Sequence, residues 1–149
     1  TFRIYLPRHR GEPVETKAFD KANIQSGTGE TILLVEDDAA ILTLSKRMLE
    51  TLGYSVLAAG SPSEAMSLAR DGHGKIHLLV TDVVMPEMNG RDLAGKLRVF
   101  HPEMRVLFMS GYTANVIAHR GVLEEHVIFL PKPFSIKDLA TKVREALAK

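Results

Sequence analysis

Four short apolar runs in this 149-residue chain each lead into side chains that can bind a metal or take part in group transfer. The polar groups that follow these runs are Glu36-Asp37-Asp38 after TILLV, Asp82 after IHLLVT, Ser110-Gly111 after RVLFM, and Lys132-Pro133 after VIFLP. A carboxylate beside buried apolar residues is costly unless another group compensates its charge. We therefore expect these groups to meet at one site.

Clustered carboxylates repel one another and raise their own pKa values unless a hard divalent cation neutralises them. Mg²⁺ fits best, because it takes one or two carboxylates plus phosphate oxygens, whereas a calcium cage needs more oxygen ligands. Beside such a cation and Lys132, Asp82 is suited to attack a phosphorus atom. Ser110 could donate a hydrogen bond to a phosphoryl oxygen.

The elements that must position these groups alternate along the chain. Runs that are apolar on both faces predict strands of a buried parallel sheet, and helical patterns separate them. The predicted strands cover 31–36, 54–59, 76–82, 105–110 and 127–131. Helices are predicted over 39–52, from Ser61, over 91–100 and from Ser135, with a less regular pattern over 113–122. Five such units predict an α/β fold with a doubly wound parallel sheet in three layers, whose ligand site lies at the carboxyl ends of the strands.

Two of the helix starts carry strong local signals. Ser61-Pro62-Ser63-Glu64 offers an N-cap, a proline at the first helical position and a capping acid, and Ser135 with Asp138 forms a similar pair. In the first helix, the spacing predicts a single apolar face made of Ile41, Leu44, Met48 and Leu52.

Composition excludes several classes of function. The formal net charge is +1, and no basic stripe interleaved with aromatic residues occurs, which argues against nucleic-acid binding. No apolar stretch approaches the ~18 residues of a membrane span, and the absence of cysteine excludes disulfides and thiolate sites. Cytoplasmic localisation is the default expectation.

The sequence from residue 30 to 149 resembles the receiver (response-regulator) domains of two-component signalling. The motifs LLVEDD, TDVVMPEMNG, FMSGY and LPKPF carry the resemblance. It implies a flavodoxin-like sheet of order 2-1-3-4-5, a phosphoacceptor and a Mg²⁺ site. The implied roles are phosphoacceptor for Asp82 and metal ligands for Glu36, Asp37, Asp82 and the backbone carbonyl of Val84. Lys132 corresponds to the lysine of the family's site, and Ser110 and Phe129 correspond to its switch residues. Phe129 stands where the family has tyrosine and lacks the hydroxyl.

The resemblance implies a phosphorelay function with Mg²⁺. Asp82 would receive a phosphoryl group from a histidine kinase or a histidine phosphotransfer domain, in cis or in trans, with at most self-dephosphorylation as its own activity. Ser110 and Phe129 would then move together. The Lys132-Pro133 bond is expected to be cis, as in similar receivers. A weak homodimer is left open.

The start of the chain, TFRIYLPR, resembles the last strand of the ATP-binding domain of sensor histidine kinases. This implies a strand remnant over 1–7, a linker over 8–29 and the C-terminal receiver of a hybrid kinase. The alternatives are a stand-alone response regulator and an unphosphorylated receiver-like interaction module. A phosphatase of related fold is disfavoured, because Val84 occupies the position of its second acid.

Overall fold

Five parallel strands form a single sheet in the protein. The structure, a computed structural model, describes residues 26–111 and 127–149. The strands are β1 Thr31–Val35, β2 Ser55–Ala59, β3 Leu78–Asp82, β4 Arg105–Ser110 and β5 Ile128–Pro131. Their order is β2-β1-β3-β4-β5, and every neighbouring pair is parallel. The predicted doubly wound sheet of order 2-1-3-4-5 is therefore confirmed.

Four helices cover the two faces of the sheet within the described part of the chain. They are α1 Ala39–Thr51, α2 Pro62–Arg70, α3 Gly90–Leu97 and α4 Ile136–Ala148. The core that contains Leu49 of α1 and Leu139 of α4 lies on one face, and the core that contains Ala65 of α2 and Leu93 of α3 lies on the other. This gives the predicted three layers. The helix predicted over 113–122, the strand over 1–7 and most of the linker lie outside the described residues.

The helix starts follow their capping residues. The Asp38 side chain accepts hydrogen bonds from the backbone N–H groups of Ala40 and Ile41, and the Ser61 hydroxyl accepts one from Glu64. Ser135 and Asp138 form a reciprocal capping box at α4. Each cap satisfies backbone donors that have no partner inside the helix. The start signals predicted at Ser61 and Ser135 are thus confirmed.

The apolar face predicted for α1 is partly wrong, because Leu44 is 55% exposed. The helix instead turns Leu42, Ser45, Leu49 and Leu52 toward the sheet. At 100° per residue, Leu44 lies about 140° around the helix from Leu49. One helix cannot bury both side chains against a single sheet, so packing selects the stripe that contains Leu49.

The third helix ends earlier than its pattern predicts. It stops at Leu97, and Phe100 lies beyond it, outside the core. The Arg70 guanidinium lies 5.2 Å from the centre of the Phe100 ring, a cation–π arrangement that joins the ends of α2 and α3. None of the helices within 26–111 and 127–149 has the length and apolar character that a membrane span requires.

Residues 26–30, which lead into β1, lie against the end of the sheet where the strands begin. The Gly27 N–H donates a 2.6 Å hydrogen bond to the Leu52 carbonyl, and Glu30 forms a 3.4 Å ion pair with Arg144 of α4. A side chain at Gly27 would meet the Tyr54 ring at 2.6 Å. Residues 26–29, the last of the predicted linker, and Glu30 are therefore packed on the domain.

Candidate functional site

Three carboxylates meet at the carboxyl ends of two neighbouring strands. Glu36 and Asp37 follow β1 directly, and Asp82 is the last residue of β3, which pairs with β1. One oxygen from each carboxylate lies within 4.8 Å of the other two. Parallel strands bring these residues together because their carboxyl ends share one edge of the sheet.

Lys132 links two of these acids. Its Nζ donates hydrogen bonds of 2.6 Å to Glu36 Oε2 and 2.8 Å to Asp82 Oδ2. Glu36 is only 1% exposed, while the Asp82 side chain keeps 16% of its surface open to solvent. A buried carboxylate of this kind needs a charged partner. Lys132, the residue directly after β5, provides it, 96 residues further along the chain.

The electrostatics of this pair follow from burial and charge. Burial raises the pKa of Glu36 above its ordinary value, although Lys132 and the Asp38 N–H oppose the change. Burial alone would lower the pKa of Lys132, but the hydrogen bonds and negative charges of Asp82 and Glu36 outweigh it and raise that pKa. Lys132 therefore remains a full positive charge beside Asp82 at neutral pH.

The loop between β3 and α3 holds Asp82 through its backbone. The Val83 N–H donates to the Met109 carbonyl at 3.1 Å, and the Gly90 N–H donates to the Val83 carbonyl at 2.9 Å. A methyl group on Gly90 would lie 2.2 Å from the Asp82 carbonyl oxygen. The start of α3 is thus packed directly against the peptide of Asp82.

Further along the same loop, Glu87 adopts a left-handed backbone conformation with φ 69°. Its carboxylate accepts a 2.7 Å hydrogen bond from the Ser63 hydroxyl in the first turn of α2. Residues other than glycine rarely adopt this conformation unless their surroundings hold them there. The contact with Ser63 helps to hold the loop beside the site.

The ends of β4 and β5 complete the surroundings of Lys132. The Lys132 N–H donates a 2.8 Å hydrogen bond to the Ser110 carbonyl, which joins the two strand ends. The Lys132-Pro133 peptide bond is cis, so that prediction is confirmed.

The remaining predicted site residues are Ser110, Val84 and Phe129. Ser110 is buried as the last residue of β4. The Val84 side chain is exposed, and its N–H points toward Asp82 Oδ1 at 3.3 Å. Phe129, three residues before Lys132, contacts the ring of Phe108. The roles of the Val84 carbonyl and of the Ser110 and Phe129 switch stay predictions.

The cluster suits a hard cation by the chemistry of its donors. Glu36, Asp37 and Asp82 offer only carboxylate oxygens, which Mg²⁺ prefers and softer metals do not. Asp37 is exposed and Asp82 half-buried, so a bound ion could keep several water ligands. The residues present therefore fit the Mg²⁺ that the sequence implies.

Two contributors to the site were not predicted. The Lys132–Glu36 hydrogen bond was missed, because the sequence suggested only that Lys132 compensates Asp82. The packing role of Gly90 was also missed. The signal was present, since Asn89 before Gly90-Arg-Asp92 is an N-cap pattern that places the glycine at the start of a helix.

Comparisons with known proteins agree on one family. The response regulator receiver domain family matches residues 32–144. The "Sensor kinase CckA" of Brucella abortus (strain 2308) is 41% identical over all of this chain and 16% of its own length. The "DNA-binding transcriptional regulator NtrC" of Azospirillum brasilense is 40% identical over 78% of this chain and 24% of its own length.

A solved structure of a receiver domain supports the same family assignment. The crystal structure of the receiver domain from the hybrid histidine kinase CckA is 39% identical, with a TM-score of 0.66. The match covers 78% of this chain and 98% of that one. The chain therefore spans a whole solved domain but only 16% and 24% of the two relatives in which that domain is one part.

Proposed function

The chain belongs to the response regulator receiver family, and on that premise we propose that Asp82 accepts a phosphoryl group from a phosphohistidine. The observation that carries the proposal is the Lys132 ammonium, hydrogen-bonded to both Glu36 and Asp82 beside a third carboxylate. An ordinary surface cluster would not bury Glu36 almost completely. The arrangement places one partly exposed carboxylate next to a fixed positive charge.

The reaction is a displacement at phosphorus. An Asp82 carboxylate oxygen attacks, the phosphorus–nitrogen bond of the donor breaks, and its electron pair stays on the imidazole nitrogen. The product is an acyl phosphate on Asp82. Lys132 stabilises the negative charge of the phosphoryl oxygens, and Ser110 donates a hydrogen bond to one of them.

Glu36, Asp37, Asp82 and the Val84 carbonyl would hold Mg²⁺. When bound, the ion neutralises charge on the acids and the phosphoryl group. Glu36 has a second role that does not depend on the metal: it fixes the Lys132 Nζ at 2.6 Å. The donor would be a histidine kinase or a histidine phosphotransfer domain, and the surface around β4 and β5 would change after transfer.

The direct test is the mass of the full 149-residue chain after incubation with acetyl phosphate or phosphoramidate. With Mg²⁺ we expect the addition of one phosphoryl group. With a chelator the rate should fall about a hundredfold or more, because metal stabilisation of the transferring group is worth several kcal/mol. Equal labelling with and without the chelator would contradict the metal assignment, and no labelling in either case would contradict the function.

We also propose that the domain is the C-terminal receiver of a hybrid sensor histidine kinase. The sensor kinase of Brucella abortus matches the whole chain, including the first 25 residues, whereas the regulator of Azospirillum brasilense matches 78% of it. This favours a kinase remnant at 1–7 over a stand-alone regulator. A receiver-like module that is never phosphorylated is disfavoured, because neither the acids nor Lys132 is missing.

Truncation tests the predicted boundary between linker and receiver. Removing residues 1–25 should leave the melting temperature and the labelling of Asp82 nearly unchanged. Removing residues 1–29 also deletes Gly27, which donates to Leu52 and covers the Tyr54 ring, and should cost about 1 kcal/mol through the lost hydrogen bond.

Thermal unfolding of the two truncated chains measures the difference. If removing residues 1–25 already unfolds the domain, that segment belongs to this fold and its assignment to a preceding domain is wrong. If both truncated chains are as stable as the whole chain, the contacts of residues 26–29 do not contribute.

A further inference from the structure

Phe108 lies between the acceptor strand and the predicted switch residue. It is paired in register with Thr81 of β3 on one side and with Phe129 of β5 on the other. Residues paired in register on neighbouring strands project from the same face of the sheet. Thr81, Phe108 and Phe129 therefore form a row on one face, and Thr81 directly precedes Asp82.

The two rings in this row are in contact. Their centroids are 5.7 Å apart and their planes are tilted by 32°, within the range of favourable aromatic pairs. Phe108 is 5% exposed, while Phe129 is only half-buried. The contact joins a buried ring to a more accessible one.

The positions of the strands explain this difference. Phe108 sits on β4, which has a strand on each side, whereas β5 is at the edge of the sheet. Ser110 follows Phe108 by two residues and so projects from the same face. If the Phe129 ring moves away from β4, it must therefore lose its contact with the Phe108 ring.

We propose that Phe108 is the positioning residue of the Phe129 switch. Its ring holds Phe129 in the place seen here and sets how readily β5 responds when Asp82 is phosphorylated. The inference rests on the proposed function, because it concerns the response to a phosphoryl group on Asp82. In this proposal the response displaces Phe129 away from Phe108; that displacement gives up the ring contact, so the contact opposes the response.

The test is Phe108→Leu, which keeps an apolar side chain but removes the ring. Aromatic pairs contribute enough that their loss should change the ratio of the two Phe129 positions by about two- to tenfold. The readout is the backbone amide spectrum of β4 and β5, recorded without and with Mg²⁺ and beryllofluoride. In the free variant, these amide signals should be displaced toward the wild-type beryllofluoride positions.

Two further variants separate positioning from general stability. Val106→Ala removes apolar volume from the same strand and the same core but no aromatic contact, and its β5 signals should stay at the wild-type positions. Phe108→Tyr retains the ring at a position that is among those lining a groove beside α3. The β4 and β5 amide signals of Phe108→Tyr should therefore stay at the wild-type positions.

Phosphorylation of Asp82, measured by mass in the same samples, distinguishes the possible failures. A wild-type chain that takes no phosphoryl group overturns the proposed function and this inference with it. Normal phosphorylation in all variants, with Phe108→Leu signals unchanged from wild type, overturns the role of Phe108 alone. If Phe108→Leu does not fold, Phe129→Leu breaks the same pair from the half-buried side. The free β4 signals must then move toward the beryllofluoride positions, and unchanged signals overturn the proposal.

Discussion

Asp82→Asn should abolish the Mg²⁺-dependent addition of a phosphoryl group. An amide nitrogen replaces one carboxylate oxygen, so the side chain loses both its negative charge and its nucleophilic character. The amide oxygen can still accept the hydrogen bond that Lys132 donates to Asp82 at 2.8 Å. We therefore expect the fold to survive while phosphorylation falls below detection by intact mass.

The matched control is Asp71→Asn, an exposed acid at the C-cap of α2 that is not a member of the cluster. It changes the net charge by the same amount and should be labelled like the wild type. Undiminished labelling of Asp82→Asn would show that another residue is the acceptor. Weak residual labelling at Asp37 is compatible with the assignment, because its carboxylate shares the cluster.

Gly90→Ala should destabilise the domain and misplace Asp82, the proposed acceptor. The new methyl group would lie 2.2 Å from the Asp82 carbonyl oxygen and 3.1 Å from the Thr81 Cγ2. Because backbone atoms cannot rotate away as side chains do, α3 or the end of β3 must shift. Overpacking of this kind costs about 1–3 kcal/mol, and a displacement of about 1 Å at a reacting group can slow a reaction about a hundredfold.

Gly95→Ala provides a control in the same helix. A methyl group there meets no atom within 4 Å, and alanine inside a helix is favoured over glycine by about 1 kcal/mol. Urea unfolding should therefore place the two variants on opposite sides of the wild type. If Gly90→Ala is as stable as Gly95→Ala, the close packing of α3 on the Asp82 peptide is not present in solution.

The sheet and the acid cluster were predictable because their signals are local and repeated. Apolar runs marked all five strands, and the residue after each run placed Glu36, Asp82 and Lys132 at one edge. Because neighbouring strands are parallel, the side chains at their carboxyl ends must lie close together. The helix caps at Ser61 and Ser135 were equally accessible, since each acts within three residues of the group it satisfies.

Contacts that depend on packing were not predictable from the same patterns. The first helix carries two apolar stripes, one with Leu44 and one with Leu49, and only the sheet decides which is buried. The Glu87–Ser63 hydrogen bond and the Phe108–Phe129 contact join residues 24 and 21 positions apart. No spacing rule connects such pairs, because the contact depends on how the loop and the strands are placed.

Residues 26–30 and Asp82 lie at opposite ends of the sheet. Residues 26–30 are held at the amino ends of the strands by Gly27 and Glu30, while Asp82 lies at the carboxyl ends. A five-residue strand is about 17 Å long, so residues 26–30 and Asp82, the proposed acceptor, are separated by about the length of a strand. Residue 26 therefore lies at the opposite end of the sheet from Asp82, so the point where the preceding chain joins the domain is not beside the proposed acceptor.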